Sequence, residues 1–240
     1  MFISTENRTS APEIMDDFEM TGSELESALI KIAKINQLLG GNKITINGIE
    51  HLIKSIDKEK EISIIDLGCG NGDMLRKIAD FGIENNLNFK LTGIDANQFT
   101  IDCAKKLSVS YPNIKFEKEN IFNAEFENYQ PDIFLCTLTI HHFSEEEILK
   151  LLKKLYQNSS IGIIINDLHR NIFAYRLFQV LCLIFMLKNM TKHDGLTSIL
   201  RGFKKQELLY FSKKLNFEKY LIKWKWAFRY QWIIFKSLKV

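Results

Sequence analysis

The sequence predicts an α/β fold built on a doubly wound, mostly parallel seven-stranded sheet. Short β-branched runs alternate with stretches of helical periodicity from residue 61 onward, which is the pattern of successive β–α–β units. A glycine-rich turn directly follows the first of these runs. Two strand-like runs with almost no connector come last, and they predict a hairpin that places an antiparallel last strand in the sheet.

Composition places the chain among ordinary globular proteins. It has 240 residues, of which 46% are hydrophobic and 25% are charged, and its net charge is +3. This length fits one large domain with a small appended cap, and the charge is too small to require a nucleic-acid partner. The four cysteines stand far apart and show neither metal-ligand nor disulfide spacing, so no metal is predicted and a cytoplasmic location is expected.

The first sixty residues predict a helical cap in front of the sheet. The first dozen residues are polar, so they are expected to fray, and they lack the apolar segment of a secretory signal. Apolar residues then recur near the helical period over 13–39, and a second short helix is predicted over 49–56. We therefore expect a cap domain of residues 1–60 and a second domain of residues 61–240.

Strands and helices are predicted to alternate through the second domain. The predicted parallel strands are short apolar runs at 62–67, 89–94, 114–117, 132–137 and 161–166. The predicted helices show a period near 3.6 and cover 73–83, 97–108, 145–156 and 203–215. The closing hairpin is predicted over 220–227 and 230–237.

A helical insertion is predicted after the fifth strand, over residues 168–202. Residues 172–187 within it are apolar nearly all round a helix, so this helix must be buried or must meet an apolar partner. The run is shorter than the roughly 20 residues that span a membrane. We expect part of it to line a pocket for an apolar ligand; packing against the cap or against a second subunit is the alternative.

The glycine-rich loop carries the strongest functional signal. It consists of Asp66, Leu67, Gly68, Cys69, Gly70, Asn71 and Gly72. Its glycines allow a tight turn and a close approach of the backbone to a ligand, and the following helix offers free N–H groups to an anion. A dinucleotide fits poorly, because Asp73 stands where the third glycine of that fingerprint belongs and the Asp66 carboxylate would repel a pyrophosphate.

A ligand with both an ammonium and a carboxylate group suits this loop better. The ammonium would lie near Asp66, and the carboxylate would lie near the helix N-terminus. The methionine part of S-adenosylmethionine (SAM) is such a ligand. Asp95, at the end of the second predicted strand, adds an acidic side chain that can accept hydrogen bonds from both ribose hydroxyls.

With these motifs, residues 62–167 resemble the class I SAM-dependent methyltransferases. The resemblance implies a Rossmann-like sheet and matches 132–142 to the fourth-strand motif of the small-molecule branch. That motif has no proline here, which argues against an enzyme acting on nucleic-acid bases. The residues that the resemblance and the loop assign to SAM are Asp66, Gly68, Cys69, Gly70, Gly72, Asp95, Ala96, Asn120, Ile121 and Thr137.

Three histidines are candidates for the catalytic base. His169 follows the fifth strand at the carboxyl edge of the sheet, where open α/β sheets bind ligands, and we expect it first. His141 and His142 stand where the fourth strand gives way to a helix. An imidazole pKa near 6.5 suits the removal of a proton from a phenol or an acid. The alternative is that each histidine is structural and hydrogen-bonded to its surroundings.

The favoured function is methyl transfer from SAM to a small, hydrophobic acceptor, with O-methylation of a phenol, a quinol precursor or an acid expected. An NAD(P)-dependent oxidoreductase on a similar sheet is one alternative, and a non-catalytic SAM-binding partner protein is another. Transient membrane contact is expected if the acceptor is lipid-like. The sequence leaves a monomer and a homodimer equally open.

Overall fold

The structure, a computed structural model, describes residues 3–187 and 189–236. Within these residues a single sheet contains seven strands in the order β3-β2-β1-β4-β5-β7-β6. The strands are β1 (Ile62–Leu67), β2 (Phe89–Asp95), β3 (Ile114–Lys118), β4 (Ile133–Thr137), β5 (Gly162–Leu168), β6 (Lys219–Lys225) and β7 (Arg229–Phe235). Strand β7 alone runs opposite to the other six described strands, so the predicted fold class is confirmed.

Helices cover both faces of the sheet. They are α1 (Ser23–Leu38), α2 (Gly41–Ile53), α3 (Asp73–Asn85), α4 (Gln98–Leu107), α5 (Glu145–Asn158), α6 (Ile172–Ile184), α7 (Asn189–Arg201) and α8 (Lys205–Lys214). One core contains α2, α3 and α4, and the other contains α5 and α8. Alternate strand residues feed the two cores, with Ile64 and Ile164 in the first and Ile65 and Ile165 in the second.

The predicted first helix begins ten residues later than its periodicity indicated, at Ser23 instead of residue 13. A short 3₁₀ helix, Ile14–Asp16, precedes it, and Gly22 with φ 98° separates the two. The 3₁₀ helix is fixed by a distant residue, because the Asp194 carboxylate accepts the N–H groups of Ile14 and Met15 at 2.8 and 3.0 Å. Long-range contact thus overrides the local helical pattern here.

The prediction that the first dozen residues fray is wrong for the part that the structure describes. The Arg8 guanidinium donates to the carbonyl oxygens of His141, Phe143 and Arg201 at 2.7 to 2.9 Å. The Arg170 guanidinium holds the same segment through carbonyl oxygens at positions 5 and 6. The N-terminal segment is therefore fixed against the end of β4 and the end of α7.

The second predicted helix begins at Gly41 instead of residue 49, and Gly40 in the left-handed region separates it from α1. Helix α2 packs on the sheet, where a Cβ at Gly48 would lie 2.8 Å from Ile164. Part of the predicted cap therefore belongs to the core of the sheet, and the boundary at residue 60 remains a prediction.

The insertion forms two helices, α6 and α7, where the sequence predicted one long apolar helix over 172–187. The chain leaves α6 after Ile184, and Met186 has φ 44°. The last strand is described to Phe235 as part of β7, and the predicted strand end at residue 237 lies outside the described residues. In the described part of the chain, no helix is both long and apolar enough to cross a membrane.

Candidate active site

A cavity of about 950 Å³ opens at the carboxyl edge of the sheet. The ends of β1, β2, β4 and β5 form its floor, and α1, α6, α7 and the Ile14–Asp16 helix form its walls. Small-molecule pockets range from roughly 300 to 1,000 Å³. The volume at the top of that range leaves space for two small molecules side by side.

The glycine-rich loop after β1 lies on the cavity floor, and its glycines serve two purposes. Gly68 and Gly70 both adopt left-handed backbone, with φ 67° and 53°. A Cβ at Gly68 would lie 2.8 Å from the Thr139 side chain, so this glycine permits close packing against the end of β4. A Cβ at Gly70 would meet only Leu29, at 3.9 Å, so the backbone at this position faces open space in which a ligand fits.

Asp66 is buried beneath this loop and also borders the cavity. Its Oδ1 has no hydrogen-bond partner among the described residues. Burial, together with the carboxylates of Asp73 and Asp95, raises the pKa of Asp66 well above its usual value. A buried carboxylate oxygen without a donor is costly, and a cation or N–H donor in the cavity would satisfy it.

Asp95 connects the end of β2 to the loop. Its Oδ2 accepts the Gly70 N–H at 3.0 Å, and its Oδ1 accepts the Asn97 N–H at 3.0 Å. Burial raises the pKa of this carboxyl group, although the two N–H donors oppose the rise. Each oxygen keeps a free lone pair, so the carboxylate can also accept two hydroxyl groups from the cavity.

A second group of titratable residues gathers where the ends of β4 and β5 meet α7 and the Ile14–Asp16 helix. We call it the histidine cluster, and it consists of Glu13, Asp16, His141, His142, Asp167 and Arg201. Within it, His141 is only 2% exposed, and its Nδ1 lies 2.7 Å from Asp167 Oδ1. Burial raises the pKa of Asp167, but the charge and the hydrogen bond of His141 outweigh it and leave that pKa below its usual value. His141 Nε2 is buried and has no hydrogen-bond partner among the described residues.

His142 is the more accessible histidine of the cluster, with 27% of its side chain exposed. Its Nδ1 lies 2.7 Å from Asp16 Oδ1, and Arg201 Nη1 lies 2.8 Å from Asp16 Oδ2. Burial alone would raise the pKa of Asp16. Hydrogen bonds from His142 and the Glu13 backbone outweigh this effect and hold the pKa well below its usual value. An ionised Asp16 accepts a hydrogen bond from the Nδ1–H of His142, so the lone pair of this imidazole lies on Nε2.

Comparison with known proteins identifies the type of domain. Residues 64–162 match a family described as a methyltransferase domain. The chain is 26% identical over 180 residues to the ubiquinone/menaquinone biosynthesis C-methyltransferase UbiE of Campylobacter jejuni, covering 69% of this chain and 74% of that protein. It is also 26% identical over 136 residues to the peramine synthetase ppzA of Metarhizium majus, covering 49% of this chain but only 5% of that protein.

Solved structures agree on the fold. The plantazolicin methyltransferase BpumL, in complex with SAH, superposes with a TM-score of 0.68 at 18% identity, covering 87% of this chain and 88% of that chain. The magnesium protoporphyrin IX methyltransferase ChlM from Synechocystis PCC 6803, with bound SAM, gives 0.57 at 12% identity, covering 85% and 84%. The chain contains a methyltransferase domain, and its sheet has the Rossmann-like fold of the class I SAM-dependent methyltransferases. This identification confirms SAM as the cofactor and replaces the nicotinamide alternative.

The cavity of this methyltransferase collects nearly all of the residues that the sequence assigned to SAM. Those that line it are Asp66, Gly68, Cys69, Gly70, Asp95, Ala96, Asn120, Ile121 and Thr137. Gly72 does not line it. Gly72 has φ 75° at the start of α3, and a Cβ there would lie 2.6 Å from the Phe116 ring, so its role is in packing.

The structure does not bring His169, the histidine expected first, to the cavity lining of the methyltransferase. Its Nδ1 accepts the Trp224 Nε1–H at 3.2 Å, and its ring lies edge-on to Tyr230 with centroids 5.0 Å apart. Burial, with the positive charges of Arg170 and Lys204, lowers the pKa of His169. His141 and His142 do line the cavity, so the candidates for the base shift to these two residues.

Three members of the histidine cluster also have the residue types of a metal site. Ligand atoms of Glu13, His141 and His142 lie within 4.8 Å of one another. However, Arg201 Nη1 lies 3.3 Å from Glu13 Oε1 and 3.3 Å from His142 Nδ1, so a guanidinium already provides the positive charge between them. We therefore do not propose a metal, and its predicted absence stays a prediction.

Sequence reasoning missed the acidic partners of the histidines in this methyltransferase. Glu13 and Asp16 were placed in an ordinary cap helix, and Arg201 was placed at the end of an insertion without a role. Asp16 and His142 are 126 residues apart in the chain. No local pattern connects residues at that distance, so only the fold brings them together.

Proposed function

We propose that this methyltransferase transfers a methyl group from SAM to a small, hydrophobic acceptor, and that O-methylation of a phenol, a quinol precursor or an acid is its reaction. One observation carries the proposal: the same cavity has a polar half at the ends of β1 and β2 and an apolar half under α6. The polar half suits a charged cofactor, and the apolar half suits the body of an acceptor.

The polar half supports SAM binding through residues with unused hydrogen-bonding capacity. Asp66, whose Oδ1 has no partner, would hold the ammonium group of the methionine part. Asp95 would accept the two ribose hydroxyls, and Asn120 and Ile121 would flank the adenine. SAM, when bound, supplies a methyl group that its sulfonium has already activated, so the protein has mainly to align the acceptor and exclude water.

The apolar half supports a hydrophobic acceptor. Its walls are formed by residues from the segment before α1, from α6 and from the β6–β7 turn. They include Phe18, Leu177, Phe178, Leu181, Ile184, Trp226 and Phe228. An acceptor that buries alkyl or aromatic surface against these side chains gains about 25 cal/mol for each Å² removed from water.

His142, oriented by Asp16, is the base that we propose for a hydroxyl acceptor. Its Nε2 lone pair is free, and its side chain is accessible from the cavity. When this ring takes up a proton, its positive charge acts on Asp95, so it lies within electrostatic reach of the polar half. His141 stacks against it, with ring centroids 4.2 Å apart, and the Asp167 hydrogen bond fixes that supporting ring. We therefore assign His141 a positioning role.

The names of the relatives support the acceptor class. The similar Campylobacter protein is named a C-methyltransferase of ubiquinone/menaquinone biosynthesis, and the similar solved structures are named for plantazolicin and magnesium protoporphyrin IX. Each name refers to a small or medium-sized molecule. The names differ in their acceptors, so the preference for oxygen rests on the histidine–carboxylate pair in this chain.

Activity is expected to rise with the alkyl length of the acceptor. With labelled SAM and a series of 4-alkylphenols from methyl to octyl, kcat/KM should increase by up to about fourfold for each methylene that becomes buried, since burial is worth about 0.8 kcal/mol for each CH₂. A constant kcat/KM across the series, or a preference for short polar acceptors, would contradict the proposal. SAM binding without transfer to any acceptor would favour the non-catalytic alternative.

Exposed apolar side chains on α6 and just after it support transient membrane contact. Phe173 and Leu183 on α6 and Met186 beyond its end are 69%, 74% and 83% exposed, while other residues of the helix line the cavity. Apolar surface exposed in this way commonly marks an interaction site. Because it adjoins the apolar half of the cavity, a lipid surface would bring a lipid-like acceptor directly to the opening. A second subunit on the same face is the alternative.

In liposome flotation, the wild-type protein is expected to move with anionic vesicles. The triple variant Phe173→Ser, Leu183→Ser, Met186→Ser is expected to lose at least nine-tenths of that binding. The reason is that each substitution removes roughly 1.5–3 kcal/mol of apolar burial. The control is Leu107→Ser with Val109→Ser, which removes exposed apolar side chains beside α4, away from the cavity. If the wild type does not float and light scattering shows a dimer that the triple variant dissociates, the face is a subunit interface.

A further inference from the structure

Arg229 is a buried cation with unused hydrogen-bond donors at the cavity. It is the first residue of β7, where its backbone pairs with Leu168 of β5 and Lys225 of β6. Only 3% of the residue is exposed, and the residue is part of the cavity lining. Its Nε and Nη1 are buried and have no hydrogen-bond partner among the described residues.

The other buried arginines of the described chain are fully engaged. Arg170 forms a two-point pair with the Glu207 carboxylate at 2.8 and 3.0 Å. Arg201 contacts both Glu13 and Asp16, and even the half-buried Arg8 donates to three carbonyl oxygens. Arg229 forms no ion pair with a described residue. This contrast matters because a buried charge without a partner destabilises the fold by several kcal/mol.

Arg229 nevertheless remains positively charged near neutral pH. Burial lowers its pKa to about 10, and the charge of Asp167 opposes that fall. Asp167 forms no hydrogen bond with the guanidinium; its Oδ1 is engaged by the His141 ring and the Leu168 N–H, and its Oδ2 by the His141 N–H. A ligand that carries negative charge would satisfy these unused donors.

The position of Arg229 indicates whether the cofactor or the acceptor supplies this negative charge. In the sheet order, β4 and β5 separate β7 from β1, so Arg229 is roughly 14 Å from the strand that carries Asp66, at about 4.8 Å for each step between strands. Its neighbours Trp226 and Phe228 belong to the apolar half of the cavity. The partner of Arg229 is therefore expected on the acceptor side.

We propose that Arg229 binds a carboxylate of the acceptor, so that the acceptor is an apolar carboxylic acid. This inference rests on the proposed function, since it assumes that the apolar half holds the acceptor. A guanidinium presents two parallel N–H groups that match the two oxygens of a carboxylate. The carboxylate would satisfy Arg229, and the apolar body would lie against the side chains beside it.

Matched probes test the proposal on the protein saturated with S-adenosylhomocysteine (SAH). Calorimetry with 4-octylbenzoate and 4-octylbenzamide should show the benzoate binding at least tenfold more tightly to the wild type. Arg229→Met should abolish this preference while leaving benzamide affinity within threefold. Arg229→Lys, which keeps the charge but not the planar pair of donors, should keep part of the preference.

Arg229 could bind either the carboxylate of the acceptor or the methionine carboxylate of the cofactor, and the affinity for SAH distinguishes the two. If Arg229 binds the acceptor, the Kd for SAH stays within threefold in both variants. If Arg229→Met weakens SAH tenfold and the preference for benzoate persists, the arginine serves the methionine carboxylate and the proposal is overturned. Equal binding of benzoate and benzamide to the wild type overturns this inference alone, and absence of binding by both overturns the apolar acceptor as well.

The melting temperature distinguishes an arginine that waits for a ligand from one that stabilises the fold. Arg229→Met should raise the Tm of the ligand-free protein, because it removes an unpaired buried charge. The control Arg170→Met should lower the Tm, because it leaves Glu207 and several carbonyl oxygens without their donor. A lowered Tm in both Arg229→Met and Arg229→Lys would show a structural role and overturn the proposal.

Discussion

Replacing His142 with alanine is expected to lower kcat by about 10²–10⁴-fold, the usual contribution of a general base. Of the two histidines that line the cavity, His142 is the more exposed, and Asp16 holds its Nδ1 at 2.7 Å. The variant should bind SAM normally, because SAM is expected to be held by Asp66, Asp95 and the loop after β1, with no bond to His142. The measurement is kcat with the best acceptor of the alkylphenol series, together with calorimetric binding of SAH.

The controls use the other histidines. His51→Ala on α2 and His169→Ala should keep near-full rates, because neither residue lines the cavity. Asp16→Asn should lie between the wild type and His142→Ala, since it leaves the imidazole in place but removes the charge that fixes its tautomer. If His142→Ala and His141→Ala both keep near-full rates, the cluster is structural, and the acceptor ionises without assistance.

Replacing Asp95 with alanine is expected to weaken SAM and SAH binding by about 100-fold, or roughly 3 kcal/mol. Hydrogen bonds to a charged group contribute about 1.5–3 kcal/mol each, and water recovers part of this when the carboxylate is removed. The substitution also frees the Gly70 and Asn97 N–H groups, so the loop after β1 loses the contact that fixes it to β2. Calorimetry with SAH measures the effect.

Asp102→Ala is the matched control for that experiment. Asp102 is exposed on α4, seven residues beyond Asp95, and it contacts only Gln98 through a hydrogen bond. Its removal should leave SAH binding within twofold. If Asp95→Ala binds SAH as tightly as the wild type while remaining folded, the ribose lies elsewhere, and the assignment at the end of β2 is wrong.

The sheet was predictable because its signals are local. Strands buried on both faces read as short apolar runs, and the turn after β1 needs glycines that the sequence shows directly. Asp66 and Asp95 could then be assigned to the cofactor site because they stand at the ends of the first two strands. For these reasons the fold class and the cofactor are both confirmed, although the roles of individual site residues remain proposals.

Contacts between distant segments were not predictable. The N-terminal segment reads as polar and disordered, yet Arg8, Arg170 and Asp194 hold it in place with hydrogen bonds that span more than 130 residues. The break between α6 and α7 was also hidden, because it occurs at Met186 and involves neither glycine nor proline. All three candidate histidines stand near strand ends in the sequence. Side-chain packing decides that His142 lines the cavity and that His169 does not.

The position of β7 between β5 and β6 has a consequence for synthesis on the ribosome. Strands β1 to β5 and the loops that carry Asp66 and Asp95 emerge first, and the strand that carries Arg229 emerges last. Until β7 arrives, the nascent chain exposes the edge of β5, which is buried on both faces in the finished sheet. Such an edge is a template for intermolecular pairing, so the interval before the final hairpin docks is when this chain is most prone to aggregate.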